Sequence, residues 1–307
     1  MKENGATEAA IPQEWERDVL LAPLTSWKIG GPARYFFSPR HPAEAADAYA
    51  FAHREKIPLL VLGKGSNLLI SDSGWPGLVL ALSTHLQQTA LHKREDGTFH
   101  LRAQTGALLT AVTTLAARAG ARGIEKLAGI PGSIGGAVIM NAGAYGSEIG
   151  ETLQEVVAVD HSGSLRSFSK EEMELGYRKS RFQTGEYLLL EVILELNEGD
   201  AHLLQLEIAE LLKKRKSTQP LEYPSGGSLF KRPAGDYAGR LIEEAGLKGF
   251  RVGDAAISTK HAGFAINLGR ATANDVYQLS EEVIRRVKER SGVTLEREQI
   301  FVGDFSP

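Results

Sequence analysis

At 307 residues, with 42% hydrophobic and 24% charged residues, the chain is long and apolar enough for two folded domains and too apolar for global disorder. Its formal net charge of −3 and the lack of a broad Lys/Arg block give no electrostatic footprint for nucleic acid, so none is expected as a partner. The absence of cysteine removes disulfides, thiolate metal sites, Fe–S clusters and cysteine nucleophiles. The eight histidines are dispersed without HxH or HExxH spacing, so no metal site is expected.

In chain order, residues 1–20 read as an N-terminal extension. Its first ten residues are polar and acidic and lack the apolar core of a signal peptide. No stretch approaches the roughly 20 apolar residues that span a bilayer, so a cytoplasmic protein without a membrane partner is expected. Proline near the start and an Ala/Glu-rich composition predict a helix over Pro42–Lys56. Short apolar runs predict strands at Leu59–Leu62, Leu78–Leu82 and Phe99–Ala103, and a helix over Ala107–Ala119 is closed by Gly120. Glu155–Asp160 and Ser164–Phe168 read as a hairpin, followed by a long strand at Tyr187–Leu196. Asn197-Glu198-Gly199-Asp200 breaks the pattern and sets a boundary between a first domain, 21–198, and a second, 199–307.

The second domain opens with a predicted amphipathic helix, Asp200–Lys216, with apolar residues at Leu203, Leu204, Leu206, Ile208, Leu211 and Leu212. The basic run Lys213-Lys214-Arg215-Lys216 at its end suits the helix dipole, and equally suits a substrate phosphate. A helix over Tyr237–Ala245, strands near Ala255–Ser258 and Gly263–Asn267, a long helix capped by Thr272 with Asp275 in the capping-box position, and a last strand over Thr294–Val302 complete the pattern. Strands and helices mix without a regular βαβ repeat, which makes the fold class α+β.

Two loops carry chemistry. Gly63-Lys64-Gly65-Ser66-Asn67-Leu68 follows a buried strand, where glycines let successive N–H groups converge on an anion. It matches neither the Walker A spacing nor the Rossmann fingerprint, and by itself it reads first as a tight turn and second as a phosphate loop. The second runs through Gly129, Ile130, Pro131, Gly132, Ser133, Gly135 and Gly136 to Ala142, Gly143 and Ala144. So many flexible residues between apolar ones are entropically costly, and read either as tight backbone packing or as a wall of donors around a large phosphorylated ligand.

These blocks, with Ile29–Ala33 (IGGPA), Tyr177–Phe182 (YRKSRF), Pro224–Pro233 (PSGGSLFKRP), Leu241–Gly249, His261–Val276 and Leu295–Glu298 (LERE), in this order, resemble the UDP-N-acetylenolpyruvoylglucosamine reductase family. The resemblance spans nearly the whole chain, from about Leu24 to Gly303. Only Gln183–Glu186 follows the YRKSRF block before the next strand, as in the shorter form of the family without an extra tyrosine-bearing loop. The resemblance implies a two-lobed FAD-binding domain of the PCMH type, then a smaller α+β substrate-binding domain. It implies non-covalently bound FAD, NADPH as reductant, and UDP-N-acetylenolpyruvoylglucosamine as the small molecule reduced to UDP-N-acetylmuramate for peptidoglycan. It further implies that both glycine loops hold FAD, that Ser228 donates a proton to C2 of the substrate, and that Arg178 engages the substrate carboxylate. Glu298, rather than nearby Glu296, takes the place of the catalytic glutamate; a carboxyl group there helps only if protonated or hydrogen-bonded. Tyr145, Gln219 and Arg232 are further substrate contacts, beside Arg178 and Ser228.

The pattern departs at three positions. Thr218 replaces a lysine, so Lys216 or another cation is needed for a diphosphate; Gln299 replaces a valine and Ile300 an arginine. Two other classes of function fit the glycine loops alone: a sugar or alcohol oxidase on a related FAD domain, and a non-catalytic flavin or nucleotide-sugar sensor.

Overall fold

The computed structural model describes residues 11–305. The acidic segment 1–10 on which the signal-peptide reading rests lies outside them. Glu16–Leu20, assigned above to an extension, is instead a strand paired antiparallel with Pro32–Phe37. It escapes sequence reading because it is an edge strand with exposed side chains, so the period-2 apolar signal is absent. Trp15 just before it is buried against Tyr35, Phe37 and Phe51.

Pro32–Phe37 and Leu59–Leu62 flank Trp75–Ala81, both in parallel. The crossover between the first two is helix α1, Pro42–Arg54, whose Ala45, Ala48, Tyr49 and Ala52 pack on the sheet. A second, antiparallel sheet carries Thr89–Lys93, Phe99–Gln104, Leu153–Val159, Leu165–Ser169 and Leu188–Glu198. The 11-residue strand Leu188–Glu198 lies at its middle, almost continuously buried from Leu188 to Leu194. Helices α2 (Leu109–Arg118) and α3 (Ile134–Ile139) close that core.

Helix α4, Ala201–Thr218, starts at Asp200, whose side chain accepts from the N–H groups of His202 and Leu203. The expected amphipathic face is narrower than predicted. Leu204 is the buried residue, Ile208 and Leu211 are partly buried one and two turns on, and Leu203 (63% exposed) and Leu206 project from another side. This helix packs on α2, so the sequence boundary at 198–200 separates two elements that touch.

The last core surrounds α5 (Ala238–Glu244) and α6 (Ala273–Ser291) with the three-stranded sheet Arg251–Val252, Ala255–Ile257 and Ala265–Asn267. Trp27, Ile29 and Leu69 from the early chain belong to it. Thr272 and Asp275 form the expected capping box of α6. Asp72 adds a second cap, accepting from the backbone N–H groups of Ala273 and Asn274. The predicted last strand shrinks to Ile300–Val302, which pairs in parallel with Leu68–Ile70, directly after the first glycine loop. Among the described residues no helix is long and apolar enough to cross a membrane.

Candidate active site

A cavity of about 1070 Å³ opens where the two sheets and the third core meet. Small-ligand pockets run to roughly 1,000 Å³, so this one has room for a large ligand. Its wall carries the first glycine loop complete, Gly63 through Leu68, and Ile130, Pro131, Gly132, Ser133, Gly135, Gly136, Ala142, Gly143 and Ala144 of the second. Both loops need glycine for reasons of space. A Cβ on Gly63 would lie 2.4 Å from Ser133 Oγ, and one on Gly135 would lie 2.7 Å from Thr105 Cβ. Ser133 also caps α3, accepting from the Gly136 N–H. The loops therefore press on each other, and the same bare backbone forms the wall.

Gly129 is not on that wall. Its φ of +80° and the 2.7 Å and 3.0 Å that would separate a Cβ from Leu212 and Arg215 make it a packing glycine beneath α4. Tyr145 and Arg232, expected as substrate contacts, also lie off the wall. Tyr145 Oη donates to the Leu211 carbonyl at 3.5 Å and its ring faces Lys214 Nζ. Arg232 donates its backbone N–H to Tyr177 Oη and lays its guanidinium over Tyr237. Gln219 is on the wall, and its Oε1 is buried with no protein partner among the described residues.

Arg178, Ser228 and Glu298, more than a hundred residues apart at the extremes, line the same cavity. Arg178 sits at the tip of a tight turn closed by reciprocal backbone hydrogen bonds between Gly176 and Lys179. Its φ is +53°, a left-handed conformation that costs a non-glycine residue ~1–2 kcal/mol. The turn is fixed from below: Asn141 Nδ2 donates to the Gly176 carbonyl at 3.0 Å and Ser180 Oγ to the Ile139 carbonyl at 2.8 Å. The asparagine of the second glycine block thus ties the strained turn to the loop that precedes it. Strain held this way concentrates at working sites.

Arg178 Nε donates to Glu298 Oε1 at 2.7 Å, with side chains 18% and 15% exposed. The Glu298 carboxylate is thus the acceptor of an ion pair with the arginine. Glu296, its rival, is paired with Lys231 on the outer surface. The backbone aligns the remaining parts: the Glu298 N–H donates to the Leu229 carbonyl at 3.0 Å, next to Ser228, and Asn67 Nδ2 donates to the Glu298 carbonyl at 3.2 Å. One residue of the first glycine loop thus touches the segment that bears the glutamate.

Geometry separates the members of the basic run. Arg215, not Lys216, lines the cavity. Burial pushes its pKa down, opposed by Tyr145, and no carboxylate pairs with it among the described residues. The Arg215 guanidinium can donate to an anionic group of a ligand, and the orphaned Gln219 Oε1, one helical turn on, can accept from a ligand donor. Sequence reasoning had the run but not the individual residue. Ser26 and Tyr49 on the wall carried no sequence signal.

Comparison with known proteins gives matching answers for both halves. The family profile described as "FAD binding domain" matches residues 33–169, and "UDP-N-acetylenolpyruvoylglucosamine reductase, C-terminal domain" matches 219–302. A UDP-N-acetylenolpyruvoylglucosamine reductase of Lachnoclostridium phytofermentans is 45% identical over 92% of this chain and 91% of its own. One from Streptococcus pneumoniae (strain Hungary19A-6) is 44% identical over 92% and 93%. The crystal structure of the reductase from Thermus caldophilus superposes with a TM-score of 0.80 at 39% identity, covering 94% of this chain and 99% of that one.

Proposed function

The chain belongs to the UDP-N-acetylenolpyruvoylglucosamine reductase family, and on that premise we propose that it is an FAD enzyme that uses NADPH to reduce UDP-N-acetylenolpyruvoylglucosamine to UDP-N-acetylmuramate for peptidoglycan. The observation that carries the reading is the convergence of Arg178, Ser228 and Glu298 on one cavity with both glycine loops. Bound FAD supplies the hydride carrier between NADPH and the enolpyruvyl double bond. The residues that would hold it are Gly63–Leu68 and the wall residues from Ile130 to Ala144, with backbone N–H groups of the first loop as the donors a diphosphate would take.

The side chains then act on the substrate. Arg178 presents a planar guanidinium to its carboxylate, and that charge stabilises the enolate formed when hydride reaches C3. Glu298 holds Arg178 through the 2.7 Å bond and fixes its direction. Ser228 gives its hydroxyl proton to C2. A serine is a weak acid, but the acceptor is a strongly basic carbanion and the nearby guanidinium favours the alkoxide left behind. Arg215 takes the diphosphate end and so fills the role left by the missing lysine at position 218, while the Gln219 Oε1 accepts from a donor group of the substrate.

The test is anaerobic turnover by the purified protein, with the flavin identified after release by denaturation. Consumption of NADPH that depends on the enolpyruvyl substrate, with the lactyl ether as product, is expected. Reduced flavin that passes its electrons only to oxygen would make the protein an oxidase, and a protein that binds no flavin would refute the reading.

A further inference from the structure

Gln299 adjoins the glutamate but faces the other way. It is 4% exposed and lies beneath the serine loop rather than in the cavity. Its Oε1 accepts from Trp27 Nε1 at 2.8 Å, within the buried core. Its Nε2 donates to the carbonyls of Gly227 and Ser228, at 3.3 and 3.4 Å. A buried amide is costly unless its donors and acceptor are satisfied, and here each end has a partner. The Trp27 indole N–H, on a fully buried ring, would be orphaned without it.

Space around this amide is fully used. A Cβ on Gly226 would come within 2.4 Å of Trp27 Nε1 and 2.6 Å of Gln299 Oε1, which explains why the first residue of the Gly-Gly-Ser sequence has no side chain. The neighbouring Ser26 continues the connection: its N–H donates to the Gly65 carbonyl at 3.1 Å and its Oγ to the Ser225 carbonyl at 2.7 Å. Ser225 Oγ in turn accepts from the Gly227 N–H. Ser26–Trp27 is therefore a strap with one end on the first glycine loop and the other on the serine loop, and Gln299 is its second attachment to the residue that bears the reacting hydroxyl.

We propose that Gln299 is a positioning residue for Ser228: its amide draws the Gly227–Ser228 carbonyls against Trp27 and so fixes the serine hydroxyl relative to the glycine loop that holds the cofactor. This rests on the reading of Ser228 as the proton donor. A valine, which the family resemblance expects at this position, could pack in the same space but could not hold the loop by hydrogen bonds.

The experiment separates the two half-reactions in anaerobic rapid mixing. In Gln299→Leu, flavin content and flavin reduction by NADPH stay within about twofold of wild type, while reoxidation by the substrate slows roughly 10- to 100-fold, as expected for a misplaced reacting group. Gln299→Glu keeps the acceptor for Trp27 and lacks the donor unless protonated, so its reoxidation rate recovers as pH is lowered; wild type shows no such recovery. That rescue is a readout that general loosening of the fold would not produce, and it decides the matter if Gln299→Leu does not fold. Wild-type reoxidation in Gln299→Leu, or parallel loss of flavin and both half-reactions in the two variants with no rescue at low pH, would overturn the inference. Ser228→Ala run alongside distinguishes the failures. If it reoxidises at the wild-type rate, the proton-donor reading falls; if it alone is slow, only the role of Gln299 falls.

Discussion

The cavity has two kinds of wall. One is backbone: Gly63–Leu68 and the stretch from Ile130 to Ala144 come from two compact sequence blocks that are shaped by missing side chains. The other is side chain: Arg178, Arg215, Gln219, Ser228 and Glu298 come from a strained turn, the end of a helix and loops of the last core. A backbone wall tolerates a large ligand with a diphosphate and depends on close approach. A side-chain wall places individual charges where a reaction develops them, and depends on the tertiary contacts that aim each one. Substitutions in the first should act on cofactor retention, and substitutions in the second on turnover.

The largest expected effect outside the proton donor is at Arg178. Arg178→Leu should lower kcat/KM by roughly 10²–10³-fold, the loss seen when one donor to a developing negative charge is removed. Flavin content should be unchanged, and steady-state kinetics with flavin absorbance read both. Loss of FAD from this variant would show that the two walls are not independent. In the backbone wall, Gly63→Ala forces a Cβ toward Ser133 Oγ and should weaken FAD binding at least about tenfold, or ~1.4 kcal/mol, in a flavin fluorescence titration. What activity remains with saturating FAD should have a near-normal kcat.

Arg215 is the cation that helix α4 contributes to the side-chain wall. Arg215→Gln removes a partly buried cation, and a lost charge-assisted hydrogen bond of ~2 kcal/mol corresponds to a KM for the substrate raised about 30-fold. An equal loss in FAD affinity would move it to the cofactor's side. The smallest effect is on stability. Burial, and the charge of His161 stacked 3.7 Å away, hold the pKa of His53 below its ordinary value. Between that lowered value and about 6.5 the unfolded chain binds a proton that the folded protein does not. The contribution is therefore complete above about pH 6.5 and is lost as pH falls below it. Thermal denaturation against pH should show wild type declining more steeply than His53→Gln in that window.

The same contrast governs what could be read from the sequence. The backbone wall lies in contiguous glycine blocks, so its residues were legible in one pass; the exception, Gly129, is a glycine of the same block used for packing under α4. The side-chain wall was legible only by family resemblance, because nothing local says that Arg178 and Glu298, 120 positions apart, share a hydrogen bond. Arg215 was visible as part of a basic run, but choosing it over Lys216 needed the rotation of α4. Glu16–Leu20 stayed hidden because an exposed edge strand has no alternation to display. Gln299 appeared as a mismatch to the family, and the Trp27 indole across the fold supplies its reason.

The most direct test of the account is anaerobic mixing of the NADPH-reduced protein with UDP-N-acetylenolpyruvoylglucosamine, following the oxidised flavin band in wild type and Ser228→Ala. The account predicts rapid return of the band in wild type and its near-complete loss in the variant, with flavin content and reduction by NADPH intact in both. Equal return of the band in the two proteins would contradict it, because the proton at C2 would then come from a group other than Ser228.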